Sequence, residues 1–176
     1  MDARRESEPT PMKNRTTAER KSERETVVTR TFNAPTRIVF EAWTKPELLK
    51  RWWAPKSTGV PLLSCEMDVR VGGRYRFVFG LDASKTMEFF GSYIEVTPHS
   101  RLVWTNEEQV DGAVTTVTFE EQQGGKTLLV VHELYPSKEA LDSAMASGRE
   151  GSGGMHETFE QLDELLVTLG ASVGRS

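Results

Sequence analysis

Apolar and polar positions alternate with a period of two through most of the middle of the chain, the pattern of half-buried β-strands. The first such run, Thr26-Val27-Val28-Thr29-Arg30-Thr31-Phe32, stops at Asn33-Ala34-Pro35. Six more strands are expected near 61–69, 74–81, 86–97, 101–108, 112–121 and 126–135. The alternation is clearest in Tyr75/Phe77/Phe79 and in Leu129/Val131/Glu133. Gly72-Gly73, Asp82-Ala83-Ser84, Pro98-His99-Ser100, Asp111-Gly112 and Gly124-Gly125 separate the runs. Links this short between consecutive strands predict an antiparallel meander, with Gly72-Gly73 as a hairpin turn.

The period shifts toward 3.6 in two places. Pro35 suits a first helical turn, and Ile38, Val39, Ala42 and Trp43 then share one helical face. Lys45-Pro46 breaks that helix and opens a second through Leu48, Leu49 and Trp52, stopping before Pro55. Near the C-terminus, Ser137 caps a helix bearing Ala140, Leu141, Ala144 and Met145. A glycine-rich link, Gly148 to Gly154, reads as a hinge that could gate a pocket, and Met155, Phe159, Leu162, Leu166 and Leu169 mark a last helix ended by Gly170.

These elements predict an α+β fold: a curved seven-stranded antiparallel sheet around a long C-terminal helix, with two short helices after the first strand. The long helix is expected to cover the apolar face and the two short helices to plug one end. A space lined by inward aromatics is expected between sheet and last helix. Residues 1–23 are polar and charged and read as a disordered tail; the domain is placed at 24–170 and a C-terminal tail at 171–176.

Composition narrows the function. The 176 residues carry 22 Lys+Arg against 26 Asp+Glu, a net charge of -4 with no basic stripe, which argues against nucleic acid as a partner. No apolar run is long enough to span a bilayer and no signal peptide is evident, so a cytoplasmic protein without membrane insertion is expected. The lone Cys65 alternates with Leu63 and Met67 and reads as a small buried hydrophobe.

Trp52-Trp53-Ala54-Pro55, Asp68 to Phe77 and Gly91-Ser92-Tyr93-Ile94-Glu95-Val96-Thr97-Pro98 resemble the helix-grip (SRPBCC) superfamily of START and Bet v 1-like proteins. More closely they resemble its branch named after the C-terminal domain of the Hsp90 ATPase activator Aha1, and Tyr135 to Leu166 resembles bacterial members of that branch. The resemblance spans roughly residues 25 to 169. It implies a cavity bounded by the concave sheet face and the last helix. Many relatives carry a tryptophan near the start of that helix, where Met155 and His156 stand here.

The expected function is binding of a small, largely hydrophobic molecule in that cavity. Trp43, Trp52, Tyr75, Phe77, Phe79, Phe89, Trp104, Phe119, Glu133, Met155, His156 and Phe159 are its candidate lining. Glu133 shares the parity of Leu129 and Val131 and therefore faces inward or ends solvated past the strand; Arg74 and Arg76 have the outward parity. Trp52-Trp53-Ala54-Pro55 reads as a marker of the fold, with one indole packed inward and the other near the pocket mouth. Discrimination between ligands is expected along Phe77, Glu133 and Met155-His156.

His156-Glu157-Thr158-Phe159-Glu160 and His132-Glu133 lack the second histidine of a zinc-protease helix, and no triad or nucleotide loop is present. No metal, cofactor or catalytic residue is assigned. A cyclase- or hydrolase-type enzyme using one acid-base group is the alternative, and an Hsp90-activator-like interaction domain a further one. Hsp90 is not expected as a partner, and a homodimer is left open.

Overall fold

The structure, a computed structural model, describes residues 16–147 and 155–174. The strands are β1 (Thr17–Arg20), β2 (Glu25–Phe32), β3 (Leu62–Met67), β4 (Arg74–Gly80), β5 (Thr86–Thr97), β6 (Arg101–Thr105), β7 (Val114–Gln122) and β8 (Lys126–Leu134). The helices are α1 (Thr36–Thr44), α2 (Pro46–Leu49), α3 (Lys138–Ser147) and α4 (Met155–Gly174), with one 3-10 turn at Lys56–Thr58. All strand pairs are antiparallel, in the order β1-β2-β8-β7-β6-β5-β4-β3. From β3 to β8 the chain is a meander, and β2 closes onto β8 with Val28 opposite Val131.

Each strand buries one face. In β2 the inward residues are Thr26, Val28, Arg30 and Phe32. The helix α4 packs against β2 and α1, so Phe159, Leu162 and Leu166 meet Phe32, Val117 and Leu129 in a continuous core. Arg30 is only 7% exposed within this face. A buried guanidinium needs partners, and Arg30 donates to Asp163 of α4 at 3.1 Å and to Thr16 at 3.1 Å. Its carbon lies 5.4 Å from the centre of the Phe32 ring.

Four sequence expectations change. The sheet has eight strands, because β1 lies inside the stretch read as a disordered tail and pairs with β2, Thr17 opposite Thr29. Backbone pairing needs no apolar side chains, which is why polarity concealed it. The tail's first fifteen residues and the glycine-rich link fall outside the described residues. The helix α4 runs through Gly170 to Gly174, since one glycine inside a helix costs only about 1 kcal/mol relative to alanine.

The Gly72-Gly73 pair ends a six-residue connection instead of forming a two-residue hairpin. Asp68 donates its N–H to Arg74 O, Gly72 has φ +86, and a Cβ on Gly73 would lie 1.9 Å from Asp68 O. Both glycines also bond Tyr93, so the turn is stitched onto β5. Finally, the register of β3 shifts between Leu62 and Ser64. That bulge turns Leu63 outward, 60% exposed, while Leu62, Cys65 and Met67 pack on the core.

Candidate functional site

The half of the sheet away from α4 is not filled. Alternation puts Tyr75, Phe77 and Phe79 of β4 on the concave face, with Phe89 and Tyr93 of β5 and Trp104 of β6 beside them. Arg74 and Arg76, of opposite parity, are exposed and pair with Glu107 at 3.1 Å and Glu88 at 2.8 Å. The inward rings meet edge-on or tilted, Tyr75 lying 5.3 Å from Phe77 and 5.8 Å from Tyr93. They enclose a cavity of about 420 Å3.

The roof of this cavity comes from Trp43 of α1, Leu49 of α2 and the irregular segment after it, including Trp53, Ala54, Pro55 and Val60. Among the described residues, none of α4 lines this lobe. A second lobe of about 240 Å3 shares Trp43, Trp53, Phe89, Trp104 and Asn106 with the first. It runs toward β8 and α3, where Thr115, Glu133, Tyr135 and Ala144 form its walls. Here α4 contributes through Met155 and Thr158.

The expected lining therefore divides. Trp43, Tyr75, Phe77, Phe79, Phe89 and Trp104 line the aromatic lobe. Glu133 and Met155 line the other. Trp52, Phe119 and Phe159 line neither and stand behind the wall in the core. Trp52 is fully buried and donates its indole N–H to Ala42 O at 3.0 Å. Phe119 packs edge-on to Phe40 at 5.2 Å, and Phe159 to Phe32 at 5.5 Å. His156 is exposed on the outer side of α4 and lines neither lobe. His99 is exposed in its turn, its ring 5.5 Å from that of Phe40.

The segment Trp52-Trp53-Ala54-Pro55 marks the fold and also builds the site. Its second indole, Trp53, is in both lobes, 5.8 Å from Trp43 and 5.7 Å from Phe77. Ala54 sits at φ +73, a conformation that costs a non-glycine residue of order 1 kcal/mol and persists only where neighbours hold it. Those neighbours are on α4. Gln161 donates to Trp52 O at 3.0 Å and to Ala54 O at 2.9 Å, and accepts from Lys56 N at 2.8 Å. Glu157 accepts from Ser57 N at 2.9 Å and from the Ser57 hydroxyl at 2.6 Å. Sequence reasoning put one indole of this segment near the pocket mouth without assigning Trp53 to the lining, and it passed over Gln161 and Asn106. The signal available was Trp-Trp-Ala-Pro itself, two large rings in a segment too short for a helix to bury both.

A chain of hydrogen bonds crosses the cavity floor. Tyr75 donates its hydroxyl to Thr105 O at 2.7 Å, with Asn106 Oδ1 at 3.2 Å. Asn106 donates to Ala113 O and to Thr115 Oγ1, both at 2.8 Å. Thr115 donates to Glu133 Oε2 at 3.4 Å, and Tyr135 to Glu133 Oε1 at 3.3 Å. Glu133 thus faces inward, as the parity of β8 requires. Burial, followed by the charges of Glu108, Glu107 and Glu133, holds the Tyr75 phenol above its usual range. Burial does the same for Tyr93, with Cys65 adding to it. Burial also pushes the half-buried Cys65 thiol up to about 11, with Lys50 opposing. That keeps it protonated and poorly nucleophilic.

A curved antiparallel sheet closed on one side by a long C-terminal helix, and hollow on the other, defines a helix-grip protein of the α+β class. Residues 33–167 match the family described as "Activator of Hsp90 ATPase homolog 1-like protein", and the chain belongs to that family. Solved structures agree. A protein from Rhodobacter sphaeroides, 26% identical, aligns over 88% of this chain and 99% of its own with a TM-score of 0.78. One from Nitrosomonas europaea, 25% identical, covers 86% and 99% with a TM-score of 0.74. One from Staphylococcus epidermidis, 27% identical, covers 86% and 94% with a TM-score of 0.66. No curated protein matches the chain. No helix among the described residues is long and apolar enough to cross a membrane.

Proposed function

We propose that the protein binds a small, largely apolar molecule in the two-lobed cavity between the concave face of β3–β8 and the 43–60 roof. One observation carries this reading: the cavity of about 420 Å3 is walled almost entirely by aromatic and aliphatic side chains. An unfilled apolar space forfeits dispersion contacts at every wall atom, and occupation recovers them at roughly 25 cal/mol per Å2 of apolar surface removed from water. Few polar groups converge in this aromatic lobe, which fits binding and orientation better than bond breaking.

A thermal-shift and native mass-spectrometry screen against apolar compounds of neutral, cationic and anionic type tests the reading. At least one class should raise the melting temperature, and Trp53→Ala should weaken its binding about tenfold or more. If no compound binds, the reading falls. The hydrogen-bonded chain ending at Glu133 is the observation favouring a second reading, acid-base catalysis in the same cavity. Turnover of a bound compound that disappears in Glu133→Gln would establish it. Stimulation of an Hsp90 ATPase by the purified protein is not expected under either reading.

A further inference from the structure

The aromatic lobe has no charged side chain among its described lining, so its uncharged polar groups decide what it can recognise. Most of these are engaged within the protein. Thr58 donates its hydroxyl to Pro55 O at 2.8 Å, and Tyr75 donates to Thr105 O at 2.7 Å. The Asn106 amide donates to Ala113 O and to Thr115. Trp53 and Trp104 are half-buried and partly within reach of solvent.

Tyr93 stands apart. It is 5% exposed, and it lines the lobe from β5. Its ring lies 5.8 Å from that of Tyr75 and 6.3 Å from that of Trp104. Among the described residues its hydroxyl has no hydrogen-bond partner. Nor is that oxygen sealed in protein: the enclosed, unpartnered side-chain atoms of the described residues are Arg30 Nε and Trp43 Nε1. The Tyr93 hydroxyl therefore borders open space, and the lobe is the space its residue lines. The Trp43 N–H, by contrast, is closed off, and no ligand atom reaches it without moving the wall. Burial holds the Tyr93 phenol above its usual range, so the hydroxyl keeps its proton and remains a donor.

A hydroxyl in contact with water is satisfied. Once an apolar body fills the lobe that contact is lost, and the hydroxyl stays unpaired unless the body carries an acceptor. Such a site rejects a ligand that lacks the matching group. No lysine, arginine or histidine is among the described lining to neutralise an anionic oxygen, so the acceptor that fits is uncharged. From this we infer that the aromatic lobe takes an uncharged molecule with an apolar body and a carbonyl-type oxygen, which accepts a hydrogen bond from the Tyr93 hydroxyl. Tyr93 is then the residue that sets specificity, while Trp53, Phe77 and Phe89 pack against the body. This inference rests on the small-molecule reading above.

Calorimetric titration with two probes of one shape tests it: 2-acetylnaphthalene, and 2-isopropenylnaphthalene, in which C=CH2 replaces C=O. Tyr93→Phe should weaken the ketone about tenfold and leave the alkene within about twofold. Because the hydroxyl has no partner in the protein, the variant should unfold in urea at an equal or higher midpoint. A lower midpoint would mean that the hydroxyl serves the fold, and overturns the inference. The carbonyl stretching band of the bound ketone should lie below its position in an alkane solvent and move back in Tyr93→Phe. Equal effects of the substitution on both probes, or none on either, overturn the role of Tyr93 and leave the small-molecule reading standing. If neither probe binds the unaltered protein, this inference falls and the broader screen decides that reading. If Tyr93→Phe does not fold, the band in the unaltered protein decides alone, and an unshifted band overturns the hydrogen bond.

Discussion

Around Phe32, Val117 and Leu129 the concave face is covered by α4, with Phe159 and Leu162 fully buried against it. Around Tyr75, Phe77 and Phe89 the same kind of face, no less apolar, looks into open space. The difference is one of reach. Eight strands about 4.8 Å apart span roughly 34 Å across, and a helix with its side chains is only about 10 Å wide. One helix grips one side, and the other side is roofed by chain that has little regular structure of its own. A void is thus built in by the count of elements, and the roof is where a ligand's access and fit are set.

The sharpest way to break that comparison is a pair of truncations. Phe159→Ala should cost about 3–5 kcal/mol, because the ring is enclosed on every side and leaves a new cavity. Phe77→Ala should cost about half as much or less, because its ring already borders a space. Urea unfolding of both variants measures this, and equal losses would mean that the cavity wall is as tightly packed as the core.

A smaller effect is expected where the halves are tied together. Gln161→Ala removes three hydrogen bonds between α4 and the roof, each worth about 1 kcal/mol net. A stability loss of about 2–3 kcal/mol should come with faster amide exchange at residues 53–57 and no change at 28–32. Exchange that rose equally in both stretches would show that the roof is not a separate unit.

The smallest effect is in alkaline titration. Folding raises the Cys65 thiol to about 11, and holds Tyr75 and Tyr93 above their usual range. A folded-state value above the unfolded one means that the folded protein holds the proton more tightly. The contribution of Cys65 is therefore complete below its unfolded value of about 8.5 and is lost as pH rises toward 11. Alkylation by iodoacetamide at pH 8.5 should be slow in the native protein and fast in urea. Phenolate absorbance at pH 11 should rise markedly on unfolding, and a folded protein that titrates like the unfolded one would place these groups in water.

Strand positions were legible because alternation is a local property: the boundaries of β4, β5 and β8 fall within a residue of those read from the pattern. The family too was legible, in Trp-Trp-Ala-Pro and Gly-Gly. What alternation cannot carry is a bulge, and Leu63 was accordingly put on the wrong face. Nor can it locate a strand such as β1, which rests on backbone pairing. At the site, parity turned Tyr75, Phe77 and Phe79 inward, as the structure has them, while of the two readings left open for Glu133 the inward one holds. Parity could not tell a ring that borders a cavity from one that borders other rings, so Trp52, Phe119 and Phe159 were indistinguishable from Phe77. Asn106 and Gln161 were invisible for another reason: each acts through partners far away in sequence.

The bulge at Leu63 has a further consequence, for where the sheet stops. The strand β3 is one of its two edges, and an unbroken row of free N–H and C=O groups there would template another strand. Shifting the register between Leu62 and Ser64 interrupts that row. At the opposite edge, β1 is only four residues long and carries Glu19 and Arg20, too short and too charged to recruit a neighbour. The sheet is finished at both margins. It can hold an open, apolar interior without offering its borders as a seed for chain-on-chain assembly.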